Sequence, residues 1–257
     1  MKATALYEGS FSVDVSKKFI PFNPELHNPK DRPASLFIYV QPFLVETSVG
    51  LCLIDTGLGI RESNGELQLH NNIRNAGYSP ADVTMVLMSH LHYDHSGGLM
   101  YEEEGNWKLA FPHADYYVQR GELETALTKQ SKSYRRPQLE ALWRTPNLHF
   151  MEGSGRLNNE ITYELTGGHC EFHQVFLFDI KGEKYFFGGD IVPEPEQLLR
   201  KFMAKYDMDP RKTMELRQEY GIRAAAEDWA CMFYHAKSRA IGKVRYEDET
   251  FSIIDAE

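Results

Sequence analysis

One stretch decides how this sequence is interpreted: SHLHYDHSGG, residues 89–98, which directly follows an apolar segment that favours a β-strand. In extended backbone, residues two apart point to the same side, so His90 and His92 can present both imidazoles to one site. Asp94 and His95 follow where the chain turns. Imidazole and carboxylate together suit zinc, iron or manganese. The alternative, a polar strand end that is merely rich in histidine, is disfavoured because five of the ten histidines lie in such ligand-like contexts.

Three more metal-binding side chains stand where other predicted strands end. His169 follows two glycines, whose backbone freedom lets the chain turn tightly and bring the imidazole close to a neighbour. Asp190 follows an apolar strand and a second pair of glycines, and His235 ends the last apolar strand before the C-terminal segment. Each of these alone is equally well explained as a polar residue at a strand end. Taken together with residues 90–95, they predict a complete metal site.

The composition of the 257 residues excludes several classes of protein. With 42% hydrophobic and 25% charged residues, the chain is an ordinary globular protein and not a disordered, collagen-like or disulfide-stapled one. The formal net charge of −9 disfavours a nucleic-acid partner, because a phosphate backbone is repelled by the average surface. No signal peptide or membrane span is recognisable, and three cysteines are too few for a disulfide framework. We expect a cytoplasmic protein without a membrane partner.

The chain is predicted to form one domain, residues 1–257, in which strands and helices alternate. No internal repeat or linker divides it, and the proline-rich stretch 21–33 predicts a long ordered loop of the kind that often lines a site. Strands are predicted at residues 4–15, 36–47, 50–55, 84–89, 114–118, 148–152, 160–165, 174–179, 184–188, 230–234 and 243–254, and helices at 66–76, 120–129, 134–143 and 210–226. This order favours two β-sheets covered by helices, the layered arrangement that buries all of these apolar faces.

The ligand-type residues resemble the pattern of the metallo-β-lactamase-fold hydrolases. An Asp-Thr-Gly strand end at Asp55 also resembles an early motif of that superfamily, and the resemblance covers residues 43–235. It implies an α/β fold, an αββα sandwich of two mixed β-sheets flanked by helices, with metals at one edge of the sheets. It also implies a ligand set of His90, His92 and His169 for one metal, Asp94, His95 and His235 for the other, and Asp190 as the bridge.

This resemblance implies two divalent metal ions, with Zn²⁺ as the first candidate and iron or manganese as alternatives. Two such cations about 3.5 to 4 Å apart can share a water and lower its pKa enough to supply hydroxide near neutral pH. Asp94 is expected to orient this nucleophile and accept its proton. Asp55 is expected to hold a ligand histidine through its free N–H, and His173 to lie behind the ligands rather than bind metal directly. Cys170 is assigned to packing.

Three segments, residues 166–174, 188–193 and 206–210, resemble the acyl-homoserine-lactonase-like, quorum-quenching branch of the superfamily. This resemblance implies hydrolysis of a carboxylic ester or lactone, with N-acyl-homoserine lactone as the first candidate. One position departs from the pattern. The best-known lactonases carry a tyrosine three positions after the bridging aspartate, where it helps the substrate carbonyl, whereas this chain has Pro193. Tyr206 is a candidate replacement.

The loop 21–33 and the segment 193–206 are expected to flank the metals and bind a small-molecule substrate. The side chains expected in this pocket are Phe22, Phe202, Met203 and Tyr206. Such a lining suits an acyl chain, and the acidic net charge disfavours polyanionic substrates. A homodimer interface is the alternative use of these residues.

Other activities of the same fold stay open at this stage. A thioesterase or a phosphodiesterase would use closely related geometry, and a persulfide dioxygenase would use one iron held by a subset of the ligands. A class B β-lactamase is not expected, because those enzymes use a cysteine ligand that this pattern lacks. A metal-binding module without catalysis is disfavoured by the complete ligand set.

Overall fold

The computed structural model describes residues 2–256, which form four β-sheets and the helices around them. The strands in chain order are β1 (Ala3–Ala5), β2 (Gly9–Val13), β3 (Phe19–Pro21), β4 (Leu36–Val40), β5 (Phe43–Thr47), β6 (Gly50–Ile54), β7 (Val83–Leu87), β8 (Met100–Glu103), β9 (Asn106–Leu109), β10 (Asp115–Gln119), β11 (Leu148–Met151), β12 (Gly155–Arg156), β13 (Ile161–Leu165), β14 (Gln174–Ile180), β15 (Glu183–Phe187), β16 (Ala230–Met232), β17 (Ile241–Glu247) and β18 (Thr250–Asp255). The α-helices are α1 (Gln68–Asn75), α2 (Tyr93–Ser96), α3 (Arg120–Thr128), α4 (Arg136–Trp143), α5 (Pro195–Leu198) and α6 (Pro210–Ala226). Within the described residues, no helix combines the length and the hydropathy that crossing a bilayer requires.

Two large mixed sheets form the centre of the fold. One has the strand order β1-β5-β6-β7-β10-β11, and the other has the order β12-β13-β14-β15-β16-β17-β18. In the first, β6, β7, β10 and β11 are parallel, and in the second only β15 and β16 are parallel. The two sheets pack face to face, with Phe43 of β5 and Phe187 of β15 fully buried and their ring centroids 5.8 Å apart.

Helices cover the outer faces of both sheets. Successive residues of β7 point to opposite sides, so Leu87 joins the core between the sheets while Val86 packs outward with Leu123 of α3. On the other sheet, Tyr220 of α6 stacks on Phe186, with the ring centroids 4.9 Å apart. The αββα sandwich predicted from the sequence is confirmed.

Two predicted strands are each divided in the structure. The segment 4–15 forms β1 and β2, and the segment 36–47 forms β4 and β5, with β2 and β4 lying in a separate sheet of order β3-β2-β4. The second break falls at Gln41 and Pro42, where proline lacks the N–H that a continuous ladder needs. The N–H of Leu6 donates to the Pro42 carbonyl at 2.7 Å. Apolar and β-branched residues fill both sheets alike, so the sequence pattern does not mark the change of sheet.

The structure adds a hairpin, β8 and β9, that the sequence analysis does not predict. Its turn is formed by Glu104 and Gly105, both in the left-handed region with φ of 51° and 79°, as a tight hairpin turn requires. The buried Gln138 of α4 donates from Nε2 to the carbonyls of Gly97 and Met100, at 2.9 and 3.1 Å. This side chain therefore ties α4 to the connection between α2 and the hairpin.

Candidate metal centre

The histidine-rich stretch leaves the end of β7 in an extended conformation and then forms the single turn of α2. His92 precedes the first residue of α2 and has extended backbone angles, φ −59° and ψ 148°. The helical turn brings His95 back towards the strand end. As a result, the ring centroids of His92 and His95 lie 4.6 and 4.2 Å from that of His90. Local geometry alone therefore gathers these imidazoles at one end of β7.

The glycine pair after these ligands lets the neighbouring loop approach. A Cβ atom on Gly97 would lie 2.4 Å from the backbone of Leu58, and one on Gly98 would lie 2.2 Å from the carbonyl oxygen of Thr56. In this close packing the N–H of Thr56 donates to the His95 carbonyl at 2.6 Å. Glycine is required at both positions because any side chain would separate the loop from the ligand turn.

The structure brings together all seven residues that the sequence analysis assigns to metal binding. Three groups have ligand atoms within 4.8 Å of one another: His90, His92 and His169; His90, His95 and Asp190; and Asp94, His95 and His235. Asp190 lies between the two halves. Its Oδ2 is 3.1 Å from Nε2 of His169, and its Oδ1 is 3.2 Å from Nε2 of both His95 and His235.

The buried atoms of this cluster fit metal binding. Nε2 of His90, Nε2 of His95 and Oδ1 of Asp190 have no hydrogen-bond partner among the described residues, although buried polar groups are almost always paired. Burial lowers the pKa of His90 and of His92 well below the ordinary value, so both imidazoles are neutral and keep a free lone pair. Burial raises the pKa of Asp190, but the nearby His169 and His95 outweigh it and hold that pKa well below its usual range. His90 and His92 therefore offer neutral nitrogen donors beside this ionised carboxylate, whereas at His95 and His235 burial lowers the pKa but Asp190 outweighs it and raises the pKa above the ordinary value.

Asp55 holds His95 from behind. Its Oδ2 lies 2.7 Å from Nδ1 of His95, and the two side chains are fully buried. The same carboxylate accepts hydrogen bonds from the N–H and the hydroxyl of Ser89, at 2.8 and 2.6 Å. Because Nδ1 is engaged, His95 turns Nε2 towards the ligand cluster, an arrangement that fixes the tautomer of a metal-binding imidazole.

Two further ligand histidines are oriented by contacts that the sequence analysis does not identify. Nδ1 of His169 lies 2.8 Å from Oδ1 of Asp207, whose side chain is almost completely buried. Nδ1 of His235 donates to the backbone carbonyl of Tyr39 at 2.6 Å. Asp207 belongs to a segment that resembles the lactonase-like branch, and that resemblance was the only sequence signal available for it.

His173 contacts the cluster without offering it a free ring atom. Its Nε2 accepts the backbone N–H of Asp190 at 3.1 Å, and its Nδ1 lies 2.9 Å from the hydroxyl of Thr166. Gly189 makes this contact possible, because it has φ 48° and a Cβ there would lie 2.6 Å from Nε2 of His173. With both nitrogens engaged, His173 fixes the backbone of Asp190.

A buried carboxylate, Glu122 of α3, links the segment that carries His90 and His92 to the segment that carries His169. Its Oε1 accepts the N–H of Leu91 and the hydroxyl of Tyr134, both at 3.1 Å, and its Oε2 lies 3.4 Å from Sγ of Cys170. Leu91 separates two of the histidines, and Cys170 follows His169 directly. No sequence motif marks Glu122, because its partners come from three distant parts of the chain.

Replacing Glu122 by Ala is expected to lower the free energy of unfolding by about 2 kcal/mol, since the buried N–H of Leu91 loses its acceptor. It is also expected to lower the metal content, because the segments on either side of the first metal position lose their common anchor. Denaturant unfolding and elemental analysis measure the two effects. Glu122→Gln keeps an acceptor for Leu91 and should recover most of both losses. The exposed Glu124 on the same helix provides the control, and equal losses in Glu124→Ala and Glu122→Ala would contradict this role.

The metal cluster opens into a cavity of about 520 Å³. His92, Asp94, His169, Asp190 and His235 form its floor. Its apolar wall comes largely from the small N-terminal sheet and its turns, through Val13, Phe19, Leu36, Phe37 and Ile38. The cavity is large enough for a small molecule.

Of the four side chains predicted to lie in the substrate pocket, two line this cavity and two are absent from its described lining. Phe202 and Tyr206 line the cavity, and the hydroxyl of Tyr206 accepts a hydrogen bond from Nε2 of Gln197 at 3.1 Å. Phe22 and Met203 are not among the cavity's described lining residues. Phe22 is buried against Phe37 at a centroid distance of 4.5 Å, and Met203 is largely exposed. The described lining also includes no residue of the loop 21–33.

Residues 38–233 match the family described as "Metallo-beta-lactamase superfamily". Over 156 residues the chain is 28% identical to an N-acyl homoserine lactonase from a Bacillus species, a match that covers 53% of this chain and 57% of that protein. The chain thus spans little more than half the length of this curated relative. A probable metal-dependent hydrolase from Staphylococcus aureus has the same fold, with a TM-score of 0.78 and 20% identity over 100% of this chain and 98% of that one. AidC, a dizinc quorum-quenching lactonase solved with its product, gives a TM-score of 0.76 and 21% identity over 99% and 94% of the two chains.

Proposed function

This chain belongs to the metallo-β-lactamase superfamily, and from its site we propose that it is a hydrolase that uses two divalent cations to open a lactone or cleave a carboxylic ester. One observation carries the proposal: seven histidine and aspartate side chains form one cluster with Asp190 between its two halves, and five of the seven line a cavity. A site for stability alone would not need to open into a cavity of this size.

The donor set fits two cations. His90, His92 and His169 would hold one, Asp94, His95 and His235 would hold the other, and Asp190 would join them. Nitrogen and carboxylate donors in these numbers suit Zn²⁺ first, with iron or manganese as alternatives. When bound, a pair of divalent cations lowers the pKa of a water and polarises a substrate carbonyl.

Asp94 is the proposed proton acceptor. Its carboxylate is partly open to the cavity, with Oδ2 3.7 Å from Nε2 of His235 and 3.9 Å from Nε2 of His95. Tyr234 fixes the residue from behind, because its hydroxyl donates to the Asp94 carbonyl at 2.6 Å. A carboxylate held in this way orients the attacking water and takes its proton.

Tyr206 is proposed to donate a hydrogen bond to the substrate carbonyl. It would take the role of the tyrosine that the best-known lactonases carry at the position of Pro193. Burial raises the pKa of Tyr206, so the phenol keeps its proton. Its oxygen already accepts from Gln197, which leaves the O–H free to donate into the cavity. The ring centroid of Tyr206 lies 6.0 Å from that of His169, beside the first metal position.

A lactone or ester is favoured over the other substrates of this fold by two observations. The curated relative that the chain resembles is named as an N-acyl homoserine lactonase. The apolar wall formed by residues 36–38 with Phe19 and Val13 suits an acyl chain attached to the reacting carbonyl. We place N-acyl-homoserine lactones first among the candidate substrates.

A panel of substrates tests this function on one metal-loaded preparation. It comprises a lactone series, a glutathione thioester and an activated phosphodiester, with kcat/KM measured for each. We expect the lactones to exceed the phosphodiester. Turnover of the thioester or the phosphodiester with inert lactones would refute the proposal. If elemental analysis finds one iron per chain and the protein consumes oxygen when a persulfide is the substrate, the activity would instead be that of a dioxygenase.

A further inference from the structure

The cavity rim differs in charge from the rest of the chain. Although the formal net charge is −9, four lysines line the cavity: Lys17, Lys129, Lys132 and Lys237. The acidic lining residues outside the metal cluster are Glu171 and Glu194. Glu171 pairs with Lys129 at 3.1 Å, whereas the other three lysines form no ion pair among residues 2–256. An opening with spare positive charge attracts anions into a cavity.

Lys17 lines the cavity from a hydrogen-bonded turn between β2 and β3. Its backbone has φ 56°, in the left-handed region that few residues other than glycine adopt. The N–H of Lys17 donates to the Asp14 carbonyl at 3.0 Å, and the N–H of Ser16 donates to Oδ1 of Asp14 at 2.8 Å. Arg32 pairs with the same carboxylate at 3.7 Å. These contacts fix the turn and leave the Lys17 ammonium free.

Lys132 lines the same cavity from a distant part of the chain. The backbone carbonyl of the next residue, Ser133, accepts a hydrogen bond from the N–H of Tyr93 at 2.7 Å. Phe19, two residues after Lys17, packs against the ring of Tyr93, with centroids 6.1 Å apart. Tyr93 lies between the ligands His92 and Asp94, so both lysine-bearing segments rest on the ligand turn.

Both lysines are exposed, and apolar side chains line the same cavity. Phe19, Leu36 and Phe37 line the cavity next to the β2–β3 turn and offer no polar side-chain atom. A substrate that fits this side therefore needs an apolar body and an anionic end. The reacting carbonyl would lie at the cluster around Asp190.

We propose that Lys17 and Lys132 bind a carboxylate at the far end of the substrate, so that the preferred substrates are lactones or esters whose acyl chain ends in a carboxylate. This inference rests on the proposed function and narrows it. It concerns affinity and selectivity, and the metal cluster and Asp94 perform the same hydrolysis on either type of chain.

The test compares two acyl-homoserine lactones of equal chain length, one ending in a methyl group and one in a carboxylate. The ratio of their kcat/KM values is measured on metal-loaded protein. We expect the wild type to prefer the carboxylate and the Lys17→Met, Lys132→Met double variant to lower this ratio about tenfold, mainly through KM. The preference should also fall between about 0.02 and about 0.3 M salt, because exposed charges are screened.

Lys18→Met is the matched control, since Lys18 is the exposed neighbour on the same turn and is absent from the described lining. An equal fall of the ratio in this control would attribute the effect to net charge and overturn the proposal. An unchanged ratio in the double variant would overturn it as well. If neither lactone is hydrolysed, the proposed function fails, and calorimetry with the two lactam analogues then decides the inference. Tighter binding of the carboxylate lactam that is lost in the double variant supports the lysine site, and equal binding of both lactams rejects it.

Discussion

Asp94→Asn is expected to lower kcat by about a thousandfold while the protein stays folded, since general-base catalysis typically contributes 10²- to 10⁴-fold. The substitution keeps the size of the side chain and removes its ability to accept a proton. The backbone contact from Tyr234 to the Asp94 carbonyl does not depend on the side chain and should hold the turn in place. Steady-state kinetics on the best lactone of the substrate panel, with a thermal unfolding curve, measures both parts of the expectation.

Asp94 also belongs to the ligand cluster, so a loss of metal must be separated from a loss of the base. Elemental analysis of the variant does this, because a fall in kcat at full metal content assigns the effect to proton transfer. Asp115→Asn is the control: Asp115 is exposed and pairs with His149 at 3.0 Å, away from the cavity. If Asp94→Asn keeps more than about a tenth of the wild-type kcat at full metal content, Asp94 is not the general base.

The ligand cluster could be predicted because its parts are local or stand at strand ends. The spacing of His90, His92 and His95 is fixed by one strand end and one helical turn, which the sequence shows directly. The distant members, His169, Asp190 and His235, could be predicted because each follows a predicted strand, and the family resemblance then implied the metal position of each. The sandwich followed from the same pattern and from the alternation of strands and helices.

The residues that support the cluster could not be predicted, because their partners are distant in sequence. Glu122 contacts the ligand segments only after α3 packs on the first sheet, and Asp207 meets His169 across 38 residues. The pocket is expected from the loop 21–33 and the segment 193–206, and Phe202 and Tyr206 of that segment do line the cavity. The described lining has no residue of the loop, and apolar residues of the strands around it line the cavity instead. Proline and asparagine predict a loop without indicating which of its ends faces the metals.

On the proposed two-metal site, His169→Ala is expected to lower the metal content from about two ions per chain to about one, because the position that His169 shares with His90 and His92 would keep only two histidines and the shared carboxylate of Asp190. The carboxylate of Asp207 is almost completely buried, and Nδ1 of His169 now lies 2.8 Å from it. Loss of this imidazole therefore leaves a buried carboxylate without its partner. Both effects weaken the same half of the site. Elemental analysis of protein purified without chelator, with lactone turnover measured in parallel, gives the result.

His173→Ala is the comparison that makes this prediction specific. It removes a buried imidazole of the same size only a few residues away, but both ring nitrogens of His173 are already engaged with Asp190 and Thr166. We therefore expect it to lower the free energy of unfolding by about 2 kcal/mol, through the unpaired N–H of Asp190, and to keep most of the metal. If His173→Ala lost as much metal as His169→Ala, His173 would have to be counted among the ligands. The free Nε2 of His90 and of His95 would then need another explanation, since neither has a protein partner among residues 2–256.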